Sequence, residues 1–222
     1  HGSRGLGDVY KRQDIDNALS SNNLVSLSPR SGGNRLIWDM RYPGFESFEG
    51  MVLYSSPNVG PKVTPGKYNI KMTYNDQILQ KEFEIVKDPR VKISQADYED
   101  QLEFLINVRD EVSRANQKII DIRNIKNNMI FISEKTRDNT ELQEMINNYL
   151  TDISEIENNI HMTKNQSRQD PLNYGIRINN RIAFLLADSQ RGDYPPTDQS
   201  KEFFIQVKGE LDSEIMLSLI HI

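Results

Sequence analysis

Few side chains in this sequence are equipped for chemistry. His161 is the one histidine away from the chain ends, since His1 and His221 are terminal or nearly so, and there is no cysteine at all. That removes thiol nucleophiles, thiolate metal sites and disulfides, and fits either a reducing cytoplasm or an envelope protein built without bridges. An imidazole serves as general acid or base only beside a nucleophile or an orienting carboxylate. No motif places one next to His161, which therefore reads as structural. Asp97, Glu99, Asp100 and Glu103 bunch where a helix begins. Negative charge favours the dipole there, so they read as a solvated face rather than an acid–base pair. Glu155 and Glu157 lie two apart on a helix, point in different directions and read as surface. Asn165-Gln166-Ser167 matches a glycosylation acceptor, a pattern too short to carry a role. Without His or Cys clusters a metal would need oxygen ligands, and no Asp-rich loop of suitable spacing occurs. No cofactor is implied.

Two other groupings are worth weighing. Trp38-Asp39 precedes Arg41-Tyr42-Pro43. Trp38, on an alternating segment, is expected to anchor a core between two sheets, with Asp39 and Arg41 on the opposite side and close enough to pair. The run Asp170-Pro171-Leu172-Asn173-Tyr174-Gly175, followed by Asn179-Asn180-Arg181, gathers polar groups where a helix must stop or bend at proline. It reads as a bend that lets the helices dock, with Asp170, Pro171, Asn173, Tyr174 and Asn180 as the residues of a possible contact loop.

The elements that would hold these residues fall into two halves. Ser3–Gln13 and Leu217–Ile222 read as in-frame translations of a sequencing-library adaptor and are set aside, leaving Asp14–Met216 as part of a longer protein. Removing them takes three basic and one acidic residue from totals of 27 and 32, for a net charge of −7. Nucleic acid needs a basic face, so binding to it is not expected. No apolar run approaches the roughly 18 residues of a membrane span. Up to Asp88-Pro89-Arg90 the chain is rich in proline and glycine, with period-two alternation. Leu36, Trp38 and Met40 form one such segment and Met51–Tyr54 a shorter one. Pro65-Gly66 turns into Tyr68, Ile70, Met72 and Tyr74, which Leu79, Phe83 and Ile85 follow to complete a hairpin. This predicts an antiparallel immunoglobulin-like β-sandwich over 14–88, truncated because only about 70 residues serve where a sandwich takes roughly 100.

Residues 89–216 carry helical periodicity. Ser94, three before Asp97, marks a helix start. Tyr98, Leu102, Leu105, Val108, Val112, Ala115, Ile119, Ile122, Ile125, Met129 and Ile132 then form one stripe, a rod of roughly 50–60 Å. Asn139-Thr140, with Gln143 completing a capping box, opens a second helix carrying Leu142, Met145, Tyr149, Ile153, Ile156 and Ile160. The pattern is interrupted near 170–175 and resumes at Ile178, Ile182, Leu185 and Leu186. After Pro195-Pro196 a last helix carries Phe203 or Phe204, Val207, Leu211 and Ile215. Stripes this long must be buried, which predicts an antiparallel bundle of three rods. The fold class expected is α+β, a truncated sandwich followed by that bundle.

An ordered series of segments carries a resemblance. Asn34 to Pro43, Gly60 to Tyr68, Asp88-Pro89-Arg90-Val91, and Gln169 to Tyr174 with Asn179-Asn180 together resemble the C-terminal part of secreted bacterial β-propeller proteins. These have sortilin-like or Asp-box repeats and are often labelled glycosyl hydrolases. The similarity spans nearly all of Asp14–Met216. It implies a propeller upstream, then a sandwich, then the helices, in an extracellular or periplasmic protein. Trp38, Asp39, Arg41, Pro65, Gly66, Tyr68, Asp88, Pro89 and Arg90 are the structural motif positions it singles out. The first half is also similar to immunoglobulin-like modules of bacterial surface and flagellar hook-capping proteins.

In the propeller family any glycan or peptide is bound by the propeller, and no blade is present here, so no catalytic residue carries over. The expected role is a non-catalytic accessory piece that supports or docks the propeller of the same chain, through which a glycan or protein partner would be met. Two alternatives stand beside it. The break near 170–175 could lend a loop to a carbohydrate site of the intact enzyme, or the long helices could pair with another chain as a coiled coil. The isolated piece is expected to be poorly soluble, because an incomplete sandwich leaves an open edge and apolar surface.

Overall fold

In the computed structural model, residues 31–220 are described. The adaptor reading of Ser3–Gln13, the first part of the expected sandwich at 14–30 and the last two residues lie outside them. The organising element is a 41-residue helix, α1 (Gln95–Lys135). Ser94 and Asp97 close a reciprocal capping box at its start, satisfying two backbone donors that a helix N-terminus leaves free. Val108, Val112, Ala115, Ile119 and Ile122 are completely buried, so the stripe read from the sequence is the spine of the core. α2 (Thr140–Ile160) returns alongside α1. Asn139, not Thr140, caps it by accepting from Leu142 N (3.1 Å). Gln143 instead donates to the carbonyls of Ser133 and Thr136, locking the tip of the helical hairpin.

α2 stops at Ile160, well before the proline expected to break it, because His161 turns the chain into extended geometry. α3 (Pro171–Tyr174) is a single turn, and Gly175 leaves it at φ 85°, a left-handed value that suits glycine. α4 (Ile178–Ser189) and α5 (Asp198–Ile220) complete the helices. Among the described residues there are four substantial helices. Between Ile160 and Ile178 the helical path is interrupted, and α4 resumes along α1 in the same direction as α2: Glu157 meets Arg123 and Lys126, Asn179 meets Asn116, and Ser189 meets Gln101. Val207 and Leu211 of α5 fill the same core.

The expected sandwich is overturned. Among the described residues there are two strands in one sheet, β1 (Gly66–Tyr74) and β2 (Gln77–Ile85), an antiparallel hairpin with Tyr68 opposite Phe83 and Met72 opposite Leu79. Asn75 and Asp76 take the positive φ that a two-residue hairpin turn requires. The α+β class holds with a helical majority, but the two upstream segments expected as strands join no ladder. Met40 turns left-handed (φ 58°), and Arg41 pairs with Lys62 at a single isolated bridge. Residues 41–64 form a strap laid across the helices, which turns at 49–50, bends at 54–55 and comes back on itself so that its ends meet at that bridge. Phe45 is buried in the main core, with Phe48, Met51 and Leu53 against it. Across 36–40 only Trp38 is even half-buried, and 51–54 are all half-buried, so the period two in the sequence matches no alternating burial and was a false signal of a second sheet.

Candidate functional site

The densest polar structure in the protein is the seam between strap and helices. An extended segment without a neighbouring strand must satisfy its backbone elsewhere, and here asparagine side chains do so. Asn180 of α4 accepts from Tyr54 N (2.7 Å) and donates to Tyr54 O (3.0 Å) and Ser56 Oγ (3.2 Å). Its amide thus occupies the place of a missing strand. Asn58 does the same for Phe45, accepting from its N (2.8 Å) and donating to its O (2.7 Å). On α1, Asn116 donates to Glu46 O (2.7 Å), Ser113 Oγ accepts from Glu46 N (3.0 Å), and Arg123 donates to Glu49 O (3.1 Å). At the far end Arg41 donates to Gly60 O (2.8 Å) and Gln190 Oε1 (3.1 Å). Gly60 lies so close to Tyr42 that a β-carbon would sit 1.9 Å from its carbonyl oxygen, so only glycine fits.

Beneath the strap lies a buried polar chain. His161 is 2 % exposed and its ring stands edge-on to Phe48, 4.9 Å between centroids. Its Nδ1 lies 3.2 Å from Asn179 Nδ2, which also donates to Asn116 Oδ1 (3.1 Å). Asn179 Oδ1 is buried without a partner. Burial pushes the imidazole below its ordinary pKa, against the raising effects of the Asn179 contact and of Glu157, and the positive charge of Arg123 adds to the lowering. Arg123 stacks over Phe48 at 4.6 Å. Glu157, read from the sequence as surface, is 3 % exposed and held between Arg123 (2.8 Å) and Lys126 (2.9 Å). Burial alone would raise its pKa. The hydrogen bonds and charges of the two cations outweigh that and hold it below its usual value. A carboxylate so committed makes a poor proton donor near neutrality.

The residues singled out from the sequence divide between this seam and separate turns. Trp38 is half-buried and packs edge-on against Tyr68 (6.2 Å) and Phe83 (6.3 Å), with Nε1 donating to Arg41 O (3.2 Å). It caps the base of one hairpin face; it does not sit between sheets. Asp39 accepts from the Arg41 backbone (3.1 Å), while the Arg41 guanidinium turns to Gly60 and Gln190 and the expected side-chain pair does not form. Tyr68 donates to Thr64 O (2.6 Å), and Pro65 O, just before Gly66, receives Gln95 Nε2 (3.1 Å), which fastens the hairpin to the start of α1. Asp88 binds Arg90 across Pro89, at 2.6 Å from its guanidinium, and its carboxyl is lowered by that bond. Asp170 accepts from Gln166 N, Ser167 N and Ser167 Oγ (2.7–2.9 Å), so it stays ionised and closes its own turn. Pro171 is buried, Asn173 and Tyr174 are exposed, and Asn180 is buried under the strap. The expected contact loop is therefore not one group.

A small cleft of about 150 Å³ lies where the hairpin base meets α1 and the turn after α4. Tyr98 donates to Asp193 there (3.2 Å), and burial and that carboxylate's charge raise the phenol pKa. Gln101 spans the cleft wall to Ser189 O and Gly192 O. Among the described residues no group of three or more His, Cys, Asp or Glu side chains could hold a metal, and no helix is long and apolar enough to cross a membrane. Sequence reasoning missed Asn58, Asn116 and the Arg123–Glu157–Lys126 cluster, and named Asn179 only among the polar groups after the helix break. The available signal was asparagine on or beside an apolar stripe, where a poor helix former needs a reason to be. Neither a family model, a curated protein nor a solved structure matches the chain.

Proposed function

We propose that this chain is a non-catalytic accessory module that supports or docks a neighbouring domain of its own polypeptide. On the resemblance described above, that domain is an upstream β-propeller of a secreted or periplasmic protein, which would itself meet the glycan or protein partner. One observation carries the reading. The helices bury most of their apolar stripes, whereas the hairpin leaves much of its own in solvent: Ile70, Met72, Tyr74 and Leu79 share one face and are 48–59 % exposed. A contiguous exposed apolar face of this kind marks a surface used for contact. The polar chemistry at the seam is spent on the strap backbone, and Asp170 on its own turn.

The test is paired lysine substitution, Ile70→Lys with Met72→Lys, in a polypeptide carrying the upstream domain. Loss of docking should appear as separate thermal transitions and faster proteolysis between the domains, with any turnover by the upstream domain retained. Unchanged melting and proteolysis would remove the reading. A second reading, contact with another protein through the helical tip, is favoured by Ile130, Phe131 and Met145, which are 47–62 % exposed. Single-sign substitutions there should then disrupt a complex that the hairpin variants leave intact.

A further inference from the structure

We infer that His161, Asn179 and Asn116 form a proton-operated latch that holds the strap to the helices when the imidazole is neutral and lets it go when the ring is charged. The direction of the hydrogen bonds carries the inference. Asn116 Nδ2 donates to Glu46 O on the strap (2.7 Å), which fixes that amide and leaves its Oδ1 as an acceptor. Asn179 Nδ2 fills this acceptor (3.1 Å), so the amide group that faces His161 Nδ1 (3.2 Å) is a donor. Nδ1 must then carry a lone pair, and the ring is the neutral tautomer with its hydrogen on Nε2.

Protonation places a hydrogen on Nδ1, directly against the hydrogens of Asn179. Relief requires the Asn179 amide to turn, bringing its Oδ1, now buried and unpartnered, to the ring. That oxygen would then face Asn116 Oδ1, so Asn116 must turn as well. Its oxygen would then confront the Glu46 carbonyl on the strap, replacing attraction with repulsion. One proton is thus transmitted through two amides to the strap backbone. The charged groups around the ring are Arg123 on α1, which opposes protonation, and Glu157 on α2, which favours it and is itself engaged by Arg123 and Lys126. α4 contributes Asn179, and the strap contributes Phe48 together with the Glu46 and Glu49 carbonyls, the latter bound by Arg123.

Two measurements on the 222-residue chain test the latch. Imidazole nitrogen chemical shifts should show His161 as the neutral Nε2–H tautomer at pH 7.5, and a Nδ1–H or charged ring there would overturn the inference without any substitution. Amide exchange, corrected for its intrinsic pH dependence, should rise for residues 44–56 between pH 7.5 and pH 5 by at least tenfold more than it rises in the middle of α1. In His161→Gln, whose side-chain oxygen can still accept from Asn179, that rise should disappear. An equal rise in His161→Gln, no rise in the parent, or a parallel loss of protection throughout α1 would each contradict a local latch.

Discussion

The individual side chains that matter most are amides, and their value follows from what they leave behind when removed. Asn180→Ala would strip Tyr54 N and O of their partners in a half-buried setting. Unsatisfied groups of this kind cost about 1–3 kcal/mol each. We expect the variant to lose about 2–3 kcal/mol of unfolding free energy in urea, while Asn173→Ala, on the exposed turn, changes it by less than about 0.5 kcal/mol. Equal effects would mean that the strap is not fastened as described. Two buried ionisable groups, His161 and Glu157, give acid sensitivity with a definite sign. The His161 pKa is lowered in the folded chain, so the unfolded chain takes up the proton first, and stability falls as pH drops below about 6.5. Glu157 is also lowered, so its contribution is complete above about pH 4.3 and is lost as pH falls through its folded value. Stability measured against pH should therefore decline in two steps. Glu157→Gln should shrink the lower one, to which Asp88, Asp97, Asp170 and Glu210 also contribute, and leave the upper in place.

Among the elements, α1 and the hairpin were legible in the sequence because each has a regular period and a local start signal. Ser94 with Asp97, and Asn75-Asp76, lie where those signals put them. The strap was not legible, for a physical reason. Leu36, Trp38 and Met40 alternate as a strand does, but pairing is a non-local property, and several of the partners that satisfied residues 41–64 proved to be side chains more than 60 positions away, such as Asn116 and Asn180. The fate of Glu157 was hidden likewise, since its two cations belong to another helix. Gly60-Pro61 could be read as a turn from sequence, yet its real constraint is close approach to Tyr42. Gly60→Ala must push apart the two ends of the strap where Gly60 meets Tyr42. It should lower the melting temperature by several degrees, consistent with a cost of about 1–3 kcal/mol, whereas Gly209→Ala, which meets nothing within 4 Å, should raise it slightly. The opposite ordering would refute the placement of the strap.

At the scale of the molecule, a completed helical body carries an uncompleted hairpin. Phe45 shares one core with Val108, Ile153, Ile182 and Leu211, so strap and helices should unfold together. The hairpin projects beyond that core with its apolar face open, and concentrated solutions should associate through it. Replacing Ile70, Met72 and Leu79 with threonine should suppress concentration-dependent light scattering without lowering the melting temperature by more than a degree or two. Scattering that persists would direct attention to the helical tip around Phe131. The account depends most on the strap being an integral part of the helical body. Native-state amide exchange at pH 7.5 measures that directly at Phe45, Glu46 and Tyr54, whose backbone donors are taken by Asn58, Ser113 and Asn180. Protection within about tenfold of the Val108–Ile122 stretch of α1 is the result the account predicts. Exchange of all three at the rate of free peptide, while α1 stays protected, would contradict it.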